Sequence, residues 1–278
     1  MFQGRTLLIA TNHKKEAVIA PLFEKEFGVK CIVSKTFNTD TFGTFTGEIV
    51  REDDPRTTLK KKALAAMKHE KCDLVIASEG SFGQHPQFPI IAGDDELIIL
   101  IDKKNNLEII ARVLTTETNY YSATIHNEQE LNNYLDVVNF PSHGVILKSA
   151  QNSTENLIKG IIDRDALITQ FNLFIEQNES VYLETDMRAM FNPTRMKIIE
   201  KAAHKLVEKI KSICPECNTP GFEITKTTKG LPCSNCNLQT QSILSSEHSC
   251  SKCEFTTEIM FPHSIKTEDP TFCDFCNP

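Results

Sequence analysis

The chain has 278 residues, 40% hydrophobic and 24% charged, the balance of a globular protein longer than one average domain. Thirty basic against 37 acidic residues leave a net charge of −7, which argues against a general nucleic-acid binder. The longest apolar run, LIILI at 97–101, is strand-sized, so neither a membrane span nor a signal peptide is expected, and the location expected is cytoplasmic.

Taken in order, TLLIA at 6–10 reads as a short buried strand, followed by a helical pattern over 14–27, a strand at 30–34 and a helix from 55 to about 69. DLVIAS at 73–78 is a third strand. This β-α-β-α-β order predicts an α/β fold with a mostly parallel mixed sheet and flanking helices. Segments 96–101 and 107–114 flank Asp102-Lys103-Lys104-Asn105-Asn106, the composition of an antiparallel hairpin turn. Further strands are expected at 145–148 and 181–184. Helices are expected at 165–176 and from Pro193 to about Ser212, the last running into Cys214. The expected domains are 1–205, α/β, and 206–278, a zinc-binding ribbon module.

Eight of the ten cysteines form four CxxC units: Cys214/Cys217, Cys233/Cys236, Cys250/Cys253 and Cys273/Cys276. Two intervening residues let both sulfurs of one tight turn face a single metal, so the eight thiolates suit two closed tetrahedral Zn2+ sites. Such sites are structural, since four thiolates leave no open position for water. Sequential pairing of knuckles costs least loop entropy across spacers of 15, 13 and 19 residues. A cross-braced or a nested pairing uses the same cysteines. Residues 211–278 hold five Lys and eight Asp or Glu, a net of −3 before two formally dianionic zinc-tetrathiolate centres are added. That charge favours a protein partner or a second copy of the chain over nucleic acid. Cys31 and Cys72, lying singly among apolar residues, read as buried small hydrophobes.

Chemistry can sit at four places. Thr11-Asn12-His13-Lys14-Lys15 occupies the first strand-to-helix turn, where free N–H groups and the helix dipole favour phosphate; Asn12 and Lys15 are candidate ligands. The bland alternative makes Asn12 an N-cap and the lysines solvated. In 48–56 (EIVREDDPR), Asp54 before Pro55 is a natural N-cap. A carboxylate here, Asp53 foremost, can instead ligate Mg2+ while Arg56 contacts phosphate. Of the three lysines that follow, 60–62, some must face solvent. Segment 78–86 (SEGSFGQHP) reads as a loop after the third strand, with Glu79 a metal ligand or general base at a strand end, or else a solvated loop residue. Asp94-Asp95-Glu96 offers a second carboxylate. Finally, Arg188 and Arg195 flank Asn192-Pro193, which initiate a helix; they suit a polyphosphate clamp or surface ion pairs.

The order of Ala10-Thr11-Asn12 before a lysine, the acidic-to-Arg opening at 52–56 and Ala77-Ser78-Glu79-Gly80 after a strand resembles the inosine/xanthosine triphosphate pyrophosphatase superfamily over roughly 6–150. The resemblance implies Mg2+-dependent cleavage of nucleoside triphosphates to monophosphate and pyrophosphate. It also implies phosphate binding by Asn12 and Lys15, and metal binding by Glu79 with an acid near Asp53. The TNHKK turn lacks that family's small residue before lysine, and TDMRAMFNPTR and the cysteine tail have no counterpart there. The whole chain more closely resembles an uncharacterised bacterial family marked by ASEGSFGQHP, ETDMRAMFNPTR, Pro220-Gly221-Phe222, GLPC at 230–233 and the final Cys273-x-x-Cys276-Asn277-Pro278. The expectation is a pyrophosphatase-type nucleotide hydrolase with a structural zinc tail; the alternative is a non-catalytic module that binds nucleotide or docks a protein.

Overall fold

Leu7, Leu8, Ile9 and Ala10 are all buried, which makes β1 (Thr6–Ala10) a strand covered on both faces. The computed structural model describes residues 1–43, 49, 52–154 and 156–278; Glu48, Val50 and Arg51 of the second candidate segment lie outside them. Among these residues the chain divides into two compact units, Met1–Leu206 and Val207–Pro278.

In the first unit, β1 pairs in parallel with β2 (Lys30–Val33) and with β3 (Leu74–His85), the crossovers being α1 (Glu16–Phe27) and α2 (Pro55–Glu70). The parallel part ends there. β4 (Phe88–Asp102) and β5 (Leu107–Thr115) add antiparallel, giving the order β2-β1-β3-β4-β5 in one mixed sheet. A second, wholly antiparallel sheet has the order β6-β9-β7-β8, from β6 (Ser122–Ile125), β7 (Val145–Lys148), β8 (Leu157–Ile161) and β9 (Val181–Thr185). With α3 (Glu128–Val137) and α4 (Arg164–Gln177) it encloses a core that includes Leu131, Leu147, Leu167, Phe171 and Leu183. The mixed α/β class is therefore as expected, but the sheets are not mostly parallel: among the described residues only the pairings of β1 with β2 and β3 are.

α2 begins as its sequence requires: the Asp54 carboxylate accepts from the Arg56 and Thr57 N–H groups, and Pro55 follows it. Its inner face carries Leu59, Ala63, Ala66 and Met67 against Val75, Ala77 and Ile99. Lys62 shares that spacing and is buried too. Lys60 pairs with Glu108 and Lys61 with Asp53, so consecutive lysines do part company. α5 (Pro193–Lys211) starts at Asn192, whose side-chain oxygen accepts from the Arg195 N–H at 2.9 Å.

Three expectations need correction. Residues 78–85 are not a loop: β3 continues to His85, because β4 is long enough to pair with it along its whole length and turns back through Pro86-Gln87. Glu79 is thus mid-strand. Asn12 does not cap α1; the helix starts at Glu16, and Lys14 adopts a left-handed φ of 58° just before it. Cys31 and Cys72 are half-buried rather than fully so, and burial raises both thiol pKa values.

The second unit contains an antiparallel sheet, β10-β11-β12, from β10 (Glu223–Lys229), β11 (Ile243–Ser249) and β12 (Thr256–Met260). No described helix is long and apolar enough to cross a membrane.

Candidate anion cavity and cysteine centres

Pairing between β3 and β4 sets Ser78 opposite Ile98, Gly80 opposite Glu96 and Phe82 opposite Asp94. Paired residues share a face, so one side of the hairpin carries a serine, a glycine and two carboxylates. Arg195 from α5 lies across them. Its Nε donates to Glu96 Oε1 at 2.6 Å, its Nη1 donates to the Met187 carbonyl, and its guanidinium sits 4.8 Å from the Phe82 ring centroid. Burial works against the Arg195 charge, but Glu96, Asp94 and Glu79 outweigh it and raise its pKa. Gly80 makes room for this arrangement. Asp94 is fully buried with neither oxygen hydrogen-bonded, and burial with the nearby Glu96 charge pushes its pKa up to about 8.

In front of this layer lies a cavity of about 400 Å³, lined by residues of both sheets. Lys15 enters from the start of α1 and donates to Ser78 Oγ at 2.9 Å. Lys62 enters from α2, donating to the Ser78 carbonyl at 2.6 Å and to the Glu79 carboxylate. Lys159 and Arg188 complete the cationic lining, Arg188 being held by Asp186 at 2.6 Å. Five basic side chains (Lys15, Lys62, Lys159, Arg188 and Arg195) thus face the cavity against three acids, Asp40, Glu79 and Glu184. Behind the lining, Glu96 and Asp186 pair with Arg195 and Arg188, so the basic groups are held in place by acids rather than left as bare charge. His13 also lines it, 3.4 Å from Asp40; burial lowers its pKa more than Asp40 raises it. Phe82 and Tyr120, with ring centroids 6.1 Å apart, add an aromatic wall.

Of the residues singled out in the sequence, Lys15, Glu79, Arg188 and Arg195 meet at this cavity. Arg188 and Arg195 form ion pairs, although not surface ones: the Arg195 side chain is 7% exposed and both carboxylate partners are buried. Asn12, Asp53 and Arg56 are not among the lining residues. Asn12 is exposed and bonds to the 37–39 loop, with its amide best oriented to accept from the Thr39 N–H and donate to the Phe37 carbonyl. Asp53 pairs with Lys61 at 2.6 Å, and Arg56 is exposed in the first turn of α2. Sequence reasoning missed Lys62, Lys159 and Tyr120. Only Lys62 left a signal, its helical phase with Leu59, Ala63 and Ala66.

The cysteines form two groups, Cys214/Cys217/Cys250/Cys253 and Cys233/Cys236/Cys273/Cys276, with the sulfurs of each within 4.8 Å of one another. The S···S separations are 3.7 Å for Cys214–Cys253, 3.6 Å for Cys217–Cys250, 3.8 Å for Cys233–Cys276 and 3.6 Å for Cys236–Cys273. A tetrahedron with metal–sulfur bonds of about 2.3 Å has edges of about 3.8 Å, whereas a disulfide needs about 2.05 Å. The geometry therefore suits four thiolates around a Zn2+-sized ion. In every knuckle the residue after the second cysteine donates its N–H to the carbonyl of the first, at 2.9–3.1 Å. Asn218, Asn237 and Glu254 do so with left-handed φ near 58–59°.

The pairing is cross-braced, against the sequential order that loop entropy favours. The spacers are not mere loops: each contains a full strand. Glu223 at the start of β10 pairs with Ser249 at the end of β11, and Ser249 pairs with Thr256 at the start of β12. Knuckles one and three therefore lie at one end of the sheet, and knuckles two and four at the other. A seven-residue strand spans about 24 Å, far beyond the reach of a shared ion.

Fold and sites together define an α/β protein with a cavity lined by basic side chains and two tetrathiol centres. The chain belongs to the family described as Domain of unknown function (DUF6671), whose model matches residues 62–278. None of the curated proteins matches it. Among solved structures it is similar to protein VC0702 from Vibrio cholerae, with 9% identity over 75% of this chain and 96% of that one and a TM-score of 0.39.

Proposed function

We propose that the cavity binds a nucleotide-type phosphate ligand and that the protein hydrolyses nucleoside triphosphates in the pyrophosphatase manner. The observation that supports this best is the convergence of five basic side chains on one cavity in an acidic protein. Phe82 and Tyr120 supply an apolar wall suited to a planar base. Lys15, Lys62, Lys159, Arg188 and Arg195 neutralise the polyphosphate and the charge that develops on the leaving group. Glu79, oriented by Lys62, orients the attacking water. Mg2+ needs few protein ligands when substrate phosphates share it, so Glu79 would hold it, and it would polarise the phosphoryl oxygens. The tetrathiol centres are structural Zn2+ sites, which take no part in this chemistry.

A second reading, binding without turnover, has its own support. Among the described residues only the cysteine groups gather three or more metal-type ligands, and Asp53 is paired with Lys61. In that reading the cysteine-rich unit docks a protein partner or a second copy of the chain. Pyrophosphate release from a panel of nucleoside triphosphates with Mg2+ separates the two. Hydrolysis predicts release from at least one substrate, reduced at least 100-fold in Glu79→Ala with the fold intact. Saturable binding without release selects the second reading, and neither binding nor release contradicts both.

A further inference from the structure

Lys15 differs from the other buried lysines of the first unit. Lys62 is matched by Glu79, and Lys148 by Glu184 at 2.8 Å. Lys15 is 6% exposed and has the Ser78 hydroxyl as its hydrogen-bond partner, with no carboxylate within 4.0 Å among the described residues. The charged and titratable groups around it are Lys62 of α2, Arg195 of α5, Glu79 of β3, Asp94 and Glu96 of β4, and His13 just before α1. The nearer influences beyond burial are divided, with Arg195 and Lys62 opposing its charge and Glu96 and Glu79 favouring it. Burial decides the balance and pushes its pKa down to about 7. What Lys15 lacks is a counter-anion on the cavity side, where the proposed ligand's phosphate would lie.

We propose that the cavity takes up its phosphate ligand together with one proton from solvent, held by Lys15 as the ammonium. This rests on the anion-binding reading above. No covalent bond to the ligand forms: the Lys15 amine gains a proton and the arriving anion supplies the missing countercharge. The sign follows from linkage. Without ligand, Lys15 is charged below its lowered pKa and neutral above it; the bound anion raises that pKa. Between the two values affinity falls as pH rises, by up to about tenfold per pH unit. Below the ligand-free value the dependence disappears.

Sulfate is the cleanest probe, because it does not titrate in this range. Calorimetry at pH 8 on the full chain, in buffers of different ionisation enthalpy, should show close to one proton taken up per sulfate. Lys15→Met should lose the uptake, while His13→Gln and Asp94→Asn, which removes the other group titrating near pH 8, keep it. Lys15→Arg, which retains the charge and tests the idea should the methionine variant misfold, should bind with no uptake. Sulfate binding with no uptake by the wild type, or with uptake undiminished in Lys15→Met or Lys15→Arg, overturns the proposal and leaves the anion cavity standing. No binding of sulfate or inorganic pyrophosphate overturns both.

Discussion

Stripping metal from the cysteine-rich unit is expected to unfold residues 207–278 while residues 1–206 stay folded. A structural zinc site of this kind contributes about 10–16 kcal/mol to a domain that folds around it. The apolar cluster at one centre is small, Phe222 and Phe255 packed with Cys214, Cys217 and Cys250, so little else opposes the loss of chain entropy. The first unit has cores of its own that include no cysteine ligand. A strong chelator should therefore release two zinc ions per chain and leave the α-helical circular dichroism largely intact. Cross-bracing adds a sharper expectation. Cys214→Ser should expose Cys250 and Cys253 to alkylation while Cys233, Cys236, Cys273 and Cys276 stay protected. Alkylation of Cys233 and Cys236 instead would restore sequential pairing.

Gly80→Ala is expected to be the most damaging single-methyl addition in the first unit. A Cβ there would lie 2.4 Å from Arg195 Nη2, 2.4 Å from Glu96 Oε1 and 2.9 Å from Glu96 Cδ. Neither partner can swing into solvent, since the Arg195 and Glu96 side chains are 7% and 1% exposed. The methyl must separate a buried ion pair, and disrupting such a pair costs about 3–5 kcal/mol. It would also lift Arg195 off Phe82 and alter the cavity wall. Urea denaturation should show a loss of about 3 kcal/mol or more, with weaker anion binding. Unchanged stability would mean that the Arg195–Glu96 contact does not hold this layer together.

Much of the fold was legible because its signals are local. Asp54-Pro55 announced α2, and Asp102 to Asn106 announced the β4–β5 turn. The cysteine spacing announced the tetrathiol centres. The features without a local signal are set by distant partners. Gly80-Ser81-Phe82-Gly83 has loop composition, yet β4 enforces an extended backbone on it. Knuckle pairing depended on which strands lie between knuckles, not on spacer length. The α3 start carries a local signal of its own: the Asn127 side chain accepts from the Glu130 N–H at 2.9 Å, and Glu130 accepts from the His126 N–H at 2.8 Å, a reciprocal cap readable as N-x-x-E. Of the site, Lys15, Glu79, Arg188 and Arg195 could be named from motifs at strand and helix ends. Asn12 and Asp53 were named by the same logic, and each is engaged locally, by the 37–39 loop and by Lys61. Motif position put residues near a strand end; only the packing of α2 and α5 decided which side chains face the cavity.

The most direct test is a crystal structure of the full chain grown with saturating nucleoside triphosphate and Mg2+. The cavity reading predicts phosphate density among Lys15, Lys62 and Arg188, with the base toward Phe82 and Tyr120. A cavity free of phosphate at saturating nucleotide, or nucleotide bound elsewhere on the chain, would contradict it.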